Sequence, residues 1–382
     1  MNLIELLNAQ GPVACIIRTK FQPVAGQDRF QPAGFPEIGH VIYKAPGADG
    51  GAPKPVCIVD SAASMANHLE SVCLAGPFDS SLHPDLEGLP HVVCVSDRDR
   101  NAPSPEDKLD RVVCTTLTEG HRLASDYFLD AYIDPEWKRP EPAVKGKKDA
   151  APTGWQGKPF REKLREDFGI VEVTKDKKYY VYPNDWWTIF ATIFRYDPNS
   201  LVHGVLFAKE QIKISRMLSA SLDAFGAQRV GRSGVKFDRL GKTTSGQPIF
   251  SVDEETAESI WATFVIDLAL LRSYGRNGNG LNTAQKRLLL QLALWKIRRL
   301  TESPFRFRSG CYLECVETHF QAGPQTADAL PGIDIGAAIA ACEFGNAMTK
   351  VYYPASELFK AGKEDLTPIS VPESGEAEET GD

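Results

Sequence analysis

The small polar residues that follow Asp60 have the types and spacing that suit a phosphate. Asp60 or Ser61 can cap a helix, because a side-chain oxygen there accepts hydrogen bonds from the first free backbone N–H groups. Apolar residues at helical spacing predict the buried side of this helix: Ala62, Ala66, Leu69 and Cys73. The other side carries two hydroxyls, an amide and an imidazole: Ser61, Ser64, Asn67 and His68. Such groups at a helix N-terminus suit a phosphate or an extended polar backbone, so this face is predicted to bind a partner.

Three stretches of the chain carry a family resemblance. They are Arg29-x-x-Pro32-x-x-Phe35-Pro36, the segment from Cys57 to Glu70, and Ser215-Arg-Met-Leu-Ser-Ala-Ser221; a weaker echo is Arg232-Ser-Gly-Val-Lys236 before Asp238. Together they resemble the backbone subunit of the type I-G (formerly I-U) CRISPR effector. That subunit is a RAMP-superfamily protein of the Cas-seven type, which polymerises along a guide RNA. The patterns cover about the first quarter and a central block of the chain.

The resemblance implies an α+β fold with an RRM-like, ferredoxin-like palm, elaborated by insertions that serve as fingers and thumb. We expect one RNA-binding domain over residues 1–363, with insertions near 22–55 and 136–178. Residues 364–382 are acidic, lack the apolar side chains needed to fold, and are predicted to be disordered.

The same resemblance implies a non-catalytic function. Several copies would line up on the guide RNA (crRNA) and leave its base edges free to pair with the target DNA strand. The implied partners are other copies of the chain in a helical filament, and the large and Cas-five-like subunits of the effector. No membrane partner and no cofactor are expected.

Guide phosphates are expected to meet Lys, Arg, Ser and Asn side chains and backbone N–H groups. The predicted RNA-binding residues are Arg18, Lys20, Arg29, Gln31, Ser61, Ser64, Asn67, His68, Arg216, Ser219, Arg229, Arg232, Lys236, Arg239, Arg276, Asn277, Arg306 and Arg308.

The net charge of −7 does not argue against this function, because the acidic residues are unevenly distributed. Residues 364–382 hold seven carboxylates and no basic side chain, so the remainder balances at 43 basic against 43 acidic residues. Residues 272–308 carry nine basic side chains against Glu302 alone. Residues 229–242 and 138–178 are also basic. Local patches rather than net charge set the potential that an RNA backbone meets.

Other classes of protein find less support. No apolar run approaches the roughly 20 residues that span a bilayer, and no signal peptide is recognisable, so we expect a cytoplasmic protein. Eight scattered cysteines do not form a disulfide framework. Gly241-Lys-Thr-Thr resembles the end of a P-loop, but Lys236 stands where the first glycine is needed.

Two kinds of chemical site have weak support in the sequence. Cys311, Cys315 and His319 are four apart and could bind zinc with Cys342, although buried cysteines that serve only as small apolar residues are the preferred interpretation. A Ser-His-Asp hydrolase lacks its Gly-x-Ser-x-Gly turn. We therefore predict no metal site and no catalytic residue.

Two alternatives stay open. Related type III backbone subunits cut target RNA with a loop aspartate, for which Asp28 and Asp49 are the candidates here. A free-standing single-strand RNA-binding protein is the other alternative.

The pattern of apolar residues predicts the elements that position these groups. Strands are expected at 13–21 and 57–60, and helices at 121–133, 254–274 and 282–300. Residues 215–224 fit a strand or a helix equally well. The glycine-rich residues 275–280 are predicted to be a flexible loop that either connects two helices or clamps an RNA backbone.

Overall fold

Alternating buried and exposed side chains mark the strand at the centre of the fold, β1 (Ala14–Pro23). A computed structural model describes residues 3–35, 39–47, 51–77, 79–96, 111–138, 154–173, 178–180, 186–230 and 254–354. In these residues the helices are α1 (Leu3–Leu6), α2 (Ala62–Ser71), α3 (Asp126–Leu129), α4 (Phe160–Asp167), α5 (Trp186–Tyr196), α6 (Pro198–His203), α7 (Leu268–Ser273), α8 (Thr283–Thr301) and α9 (Ile335–Ala340).

Short strands and hairpins surround β1. After it come β2 (Gly34–Phe35), β3 (Gly39–His40), β4 (Ile42–Ala45), β5 (Lys54–Asp60), β6 (Leu74–Gly76), β7 (Asp79–Leu82), β8 (His91–Ser96), β9 (Arg111–Thr115), β10 (Tyr132–Lys138), β11 (Gly154–Pro159), β12 (Val171–Val173) and β13 (Lys178–Tyr180). The remaining strands are β14 (Val205–Phe207), β15 (Ile212–Ile214), β16 (Leu218–Phe225), β17 (Gln228–Val230), β18 (Glu254–Thr256), β19 (Ser259–Asp267), β20 (Gly275–Arg276), β21 (Asn279–Gly280), β22 (Phe305–Arg308), β23 (Cys311–Ala322), β24 (Gln325–Ala327) and β25 (Met348–Tyr352).

The main sheet is antiparallel and has the strand order β22-β23-β1-β19-β16-β5-β4, with β24 added beside β23. Arg308 at the end of β22 donates a 2.7 Å hydrogen bond to the carbonyl of Val59 in β5. Since β22 and β5 lie near opposite edges of the sheet, this contact shows that the sheet curls. Helices α2 and α8 lie against the same inner side, where α2 contacts β16 and α8 contacts both α2 and β19. The outer side of the central strands is left without a covering helix in the described part of the chain.

A second, five-stranded sheet has the order β11-β10-β25-β8-β9. Strands β25 and β8 pair in parallel, and the other pairs of this sheet are antiparallel. Buried apolar residues of this sheet, including Val92 and Val351, belong to the same hydrophobic cluster as Ile17 of β1. The two sheets therefore share one core.

Helix α8 supplies much of that core and confirms the prediction for 282–300. Asn282 caps it in a reciprocal pair with Gln285, so two otherwise free backbone N–H groups are bonded. Residues 288–297 are buried on every side of the helix. Lys296 is buried too, although a lysine near the C-terminal end of a helix more often complements the helix dipole from the exposed side.

Three other expectations were wrong or incomplete. Residues 254–274 form β18, β19 and α7 rather than one helix, because strand pairing on both sides decides the conformation of an apolar run that fits either period. Residues 121–133 hold a 3₁₀ turn and the four-residue α3 before β10 begins. Residues 215–224, which fitted both states, are mostly strand β16.

The structure confirms a fold that mixes helices with a large antiparallel sheet. The expected insertion at 22–55 contains β2, β3 and β4. Residues 139–153 of the second expected insertion, and the whole acidic segment 364–382, lie outside the described residues. Among the described helices, none combines the length and apolar character needed to cross a membrane.

Candidate functional site

The predicted cap of α2 is confirmed. The Ser61 hydroxyl accepts a 3.2 Å hydrogen bond from the backbone N–H of Ser64, and the Asp60 carboxylate accepts one of 2.9 Å from the Ser61 N–H. The buried side was predicted with one error, since Ala62 is exposed and Met65 is buried instead. Ser61 thus serves its own helix, while Asn67 is exposed on the outer side.

His68 and Arg308 meet on the buried Asp60. The His68 Nε2–H donates to Asp60 Oδ2 at 2.9 Å, and Arg308 Nη2 lies 2.9 Å from the same oxygen. Burial would raise the pKa of Asp60, but the hydrogen bonds from His68 and Ser64 and the charge of Arg308 hold that pKa below its usual value. Phe305 and Phe307 pack edge-on against the His68 ring.

Arg308 also donates to the Val59 and Gln31 carbonyls, so it closes the curl of the sheet. We call Asp60, Ser61, Ser64, His68 and Arg308 the helix-cap cluster. The structure gives each of these side chains an internal partner. Their RNA binding stays a prediction.

Arg18 and Lys20 lie on the outer side of the sheet, as the period of two predicted. Across β1, β19 and β16, Arg18 is level with Thr263 and Ser221, and Lys20 is level with Trp261 and Asp223. We call this the outer sheet face, formed by Ile16, Arg18, Lys20, Ser219, Ser221, Asp223, Trp261, Thr263, Val265, Glu317, His319 and Gln321.

Trp261 is the centre of the outer sheet face. The Arg18 guanidinium lies over its ring at 4.6 Å from the centroid, and the Lys20 ammonium lies at 5.9 Å. The His319 ring is nearly parallel to the indole at 6.0 Å. Hydrogen bonds to Glu317 and Asp328 raise the pKa of His319. Cationic and aromatic groups that are close together on an open sheet can hold a phosphate and a base at once.

Sequence reasoning missed Trp261 because it was assigned to the helix at 254–274. Had Ser259–Asp267 been taken as a strand, the period of two would have placed Trp261, Thr263 and Val265 on one face. Ser219, which was predicted, is exposed on the same face, one strand away from Val265. The structure thus brings together Arg18, Lys20 and Ser219, which the sequence could not connect.

Arg29 and Arg229 have acidic partners. Arg29 Nε lies 3.3 Å from Glu254, and Arg229 Nε lies 3.3 Å from the buried Glu255, which also bonds His40 at 3.0 Å. About half of each arginine side chain is exposed. These two residues form a separate patch around β18.

The other predicted residues are dispersed. Gln31 meets Gly310 through a backbone hydrogen bond, and Arg216 donates to the Ala62 carbonyl beside the helix-cap cluster. Arg306 is exposed on β22 and lies over Tyr312. Arg232, Lys236 and Arg239 lie outside the described residues.

Arg276 and Asn277 belong to a tight hairpin rather than the open loop expected. Strands β20 and β21 pair directly, and the turn between them is Asn277 (φ 54°) and Gly278 (φ 82°). Positive φ at both central residues is the conformation of a two-residue hairpin turn, which explains the Asn-Gly sequence.

The residues considered as zinc ligands lie in different environments. Cys311 is buried, whereas His319 is half-exposed and held by two carboxylates. No three His, Cys, Asp or Glu side chains within the described ranges are arranged to bind a metal. Asp28, a candidate for RNA cleavage, is an exposed partner of Arg29, and Asp49 lies outside the described residues.

Residues 15–229 match a protein-family model, and this region contains all of β1 except Ala14, together with α2 and β16. The match extends over more than half of the chain. The chain therefore belongs to the family CRISPR-associated protein GSU0053, and the predicted CRISPR family is confirmed. A search of the curated proteins found no match.

Proposed function

We propose that this protein is a non-catalytic backbone subunit that binds guide RNA in a type I-G CRISPR effector and presents it to target DNA. The observation that carries the proposal is the cluster of Arg18, Lys20 and Trp261 on a sheet face that no helix of the described residues covers, in a member of a CRISPR-associated family.

The order of elements supports an RRM-like palm. Along the chain, β1, α2, β16, β19, α8 and β23 occur in the order β-α-β-β-α-β, with other elements inserted between them. In the sheet they are arranged as β23-β1-β19-β16, with both helices on one side. This order and placement support the ferredoxin-like palm that we propose. Here β5 and β4 extend one edge, and β22 extends the other.

The chemistry of the outer sheet face suits single-stranded RNA. Arg18 and Lys20 can neutralise phosphates, and the nearby hydroxyls of Ser219, Ser221 and Thr263 can bond the backbone. Stacking on Trp261 uses the flat face of a base and leaves its pairing edge free. A guide must keep those edges free because base pairing reads the target sequence.

Exposed apolar side chains support contact between copies of the chain. Ile16 and Val316 are 38% and 49% exposed on β1 and β23, beside the cationic groups of the outer sheet face. A neighbouring copy that covered them would bury apolar surface next to the bound strand. Other copies, the large subunit and the Cas-five-like subunit are the protein partners we propose.

We also propose a single elaborated domain over residues 1–363, supported by the core that both sheets share. A binding role without cleavage is supported by Glu317, a carboxylate of the outer sheet face that lies 2.6 Å from His319.

Native mass spectrometry of the protein purified with its RNA from the host tests this function. The expected result is a ladder of copies on one short RNA together with larger subunits. A bare monomer that cuts RNA in the presence of divalent metal would contradict the proposal and favour the type III alternative. A monomer that binds RNA without cutting it or forming a ladder would favour the free-standing binding protein.

A further inference from the structure

A cavity of about 690 Å³ lies between the β14–β15 hairpin and the turn before α3, away from the outer sheet face. Five cationic side chains line it: Arg122, Arg161, Lys209, Lys213 and Arg216. Asp126 is the one acidic residue in the described lining. Gly204, with a φ of 82°, turns the chain from α6 into the hairpin, so residues of both elements face the same space.

Two of the five cations are already neutralised. Arg122 forms a bidentate salt bridge with the buried Glu70, in which Nε and Nη2 lie 2.7 and 2.8 Å from the two carboxylate oxygens. Arg161 lies 3.0 Å from both Asp126 and Asp130. For the remaining three, which are Lys209, Lys213 and Arg216, no acidic partner lies within the described ranges. The cavity therefore has an excess of positive charge.

His203 is a buried histidine in the wall of this cavity. Its side chain is 1% exposed and lines the cavity. Its Nε2 lies 2.9 Å from the Lys296 ammonium, which can only donate, so Nε2 accepts. Burial and the charges of Lys296 and Arg122 hold the pKa of His203 well below its usual value, so the ring is neutral.

A neutral ring that accepts at Nε2 carries its proton on Nδ1. That Nδ1 atom is buried and has no hydrogen-bond partner within the described structure. A buried donor without an acceptor costs free energy of about 1–3 kcal/mol, and the cavity does not relieve this cost, because Nδ1 has almost no accessible surface there. Leu206, which is 58% exposed at the cavity, adds an apolar surface beside the cations.

From this geometry we propose that the cavity binds the phosphate group of a nucleotide, with Lys209, Lys213 and Arg216 as donors and Leu206 against the base. The volume admits a whole nucleotide rather than a bare phosphate. The nucleotide is either free or the 5′ end of a strand, and the two sources share this chemistry. The proposal does not depend on RNA binding by the outer sheet face.

Calorimetric titration of the full chain with AMP tests the proposal, with adenosine as the matched ligand. AMP should bind with one site per chain and adenosine much more weakly. The double variant Lys209→Gln with Lys213→Gln should weaken AMP binding at least about tenfold, since it removes two charge-assisted contacts. Its matched control is Lys44→Gln with Lys350→Gln, which removes the same charge from exposed lysines outside the cavity and should leave binding unchanged.

Selective ¹⁵N labelling of histidine provides the second readout. The His203 ring signals should move when AMP is added, because the bound phosphate changes the charge at the cavity wall, and should stay in place with adenosine. Trinucleotides with a 5′-phosphate and a 5′-hydroxyl distinguish the sources: a preference for the phosphorylated strand over AMP assigns the cavity to a strand end, and the reverse assigns it to a free nucleotide. Equal weakening by both lysine pairs, equal binding of adenosine and AMP, or no saturable phosphate binding would overturn the proposal.

Discussion

Replacement of Trp261 by alanine should weaken binding of single-stranded RNA by about 5- to 140-fold. A stacked base contributes about 1–3 kcal/mol to binding when measured by alanine substitution. Each loss of about 1.4 kcal/mol weakens the affinity tenfold. The indole is half-buried and has Arg18 over its ring, so we expect no more than one base to stack on it. Fluorescence anisotropy with a labelled guide-length RNA measures the change.

The salt dependence separates stacking from charge. Trp261→Ala should leave the slope of log affinity against log salt unchanged, because no phosphate contact is removed. The double variant Arg18→Ala with Lys20→Ala should flatten that slope by about 1.4, which is about 0.7 for each lost contact on a single strand. Both effects should be independent of RNA sequence.

Two controls make the result interpretable. Trp261→Phe should retain most of the affinity, since a flat ring remains. Tyr43→Ala removes an exposed aromatic from the edge strand β4 and should have no effect. If folded Trp261→Ala binds RNA as the wild type does, or if Tyr43→Ala causes the same loss, the outer sheet face is not where bases stack.

Three further changes test other parts of the structure. Arg122→Leu leaves buried Glu70 unpaired and should lower the free energy of unfolding by about 3–5 kcal/mol in denaturant titrations, while adding Glu70→Leu should recover part of the loss; a double variant no more stable than the single one would contradict this. Burial, and more weakly the charge of Glu70, raises the pKa of Asp197 from 3.8 to about 7, so its stabilising contribution is complete below pH 4 and is lost as the pH rises to 7. Asp197→Asn should therefore match the wild type near pH 4 and exceed its stability by up to about 4 kcal/mol at pH 8, and a pH-independent difference in urea unfolding would refute it. Ser64→Ala with Asn67→Ala should weaken RNA binding at nearly unchanged melting temperature, and unchanged RNA affinity would show that this side of α2 does not contact RNA.

Local signals were sufficient where they agreed with the final packing. The cap of α2 was predictable because Ser61 bonds a backbone group only three residues away. Helix α8 was predictable because its capping pair, Asn282 and Gln285, and its apolar pattern lie within one segment. Strand β1 was predictable because polar and apolar residues alternate along it.

Long-range contacts explain what could not be predicted. Lys296 has the type and position of an exposed basic residue at a helix end, yet it bonds Asn199 and His203, which lie 97 and 93 residues away. The apolar run of β19 is compatible with a helix or a strand, and its pairing with β1 and β16 selects the strand. Trp261 could be placed beside Arg18 only after that pairing was known, because the position of Trp261 relative to β1 depends on the strand register.

Photo-cross-linking of a guide-length RNA that contains 4-thiouridine, followed by peptide mapping, tests the central claim most directly. The outer sheet face predicts cross-links in β1 and β19, with Trp261 among the modified residues, and their loss in the variant Arg18→Ala with Lys20→Ala. Cross-links that avoid both strands and survive in that variant would contradict guide binding on this face.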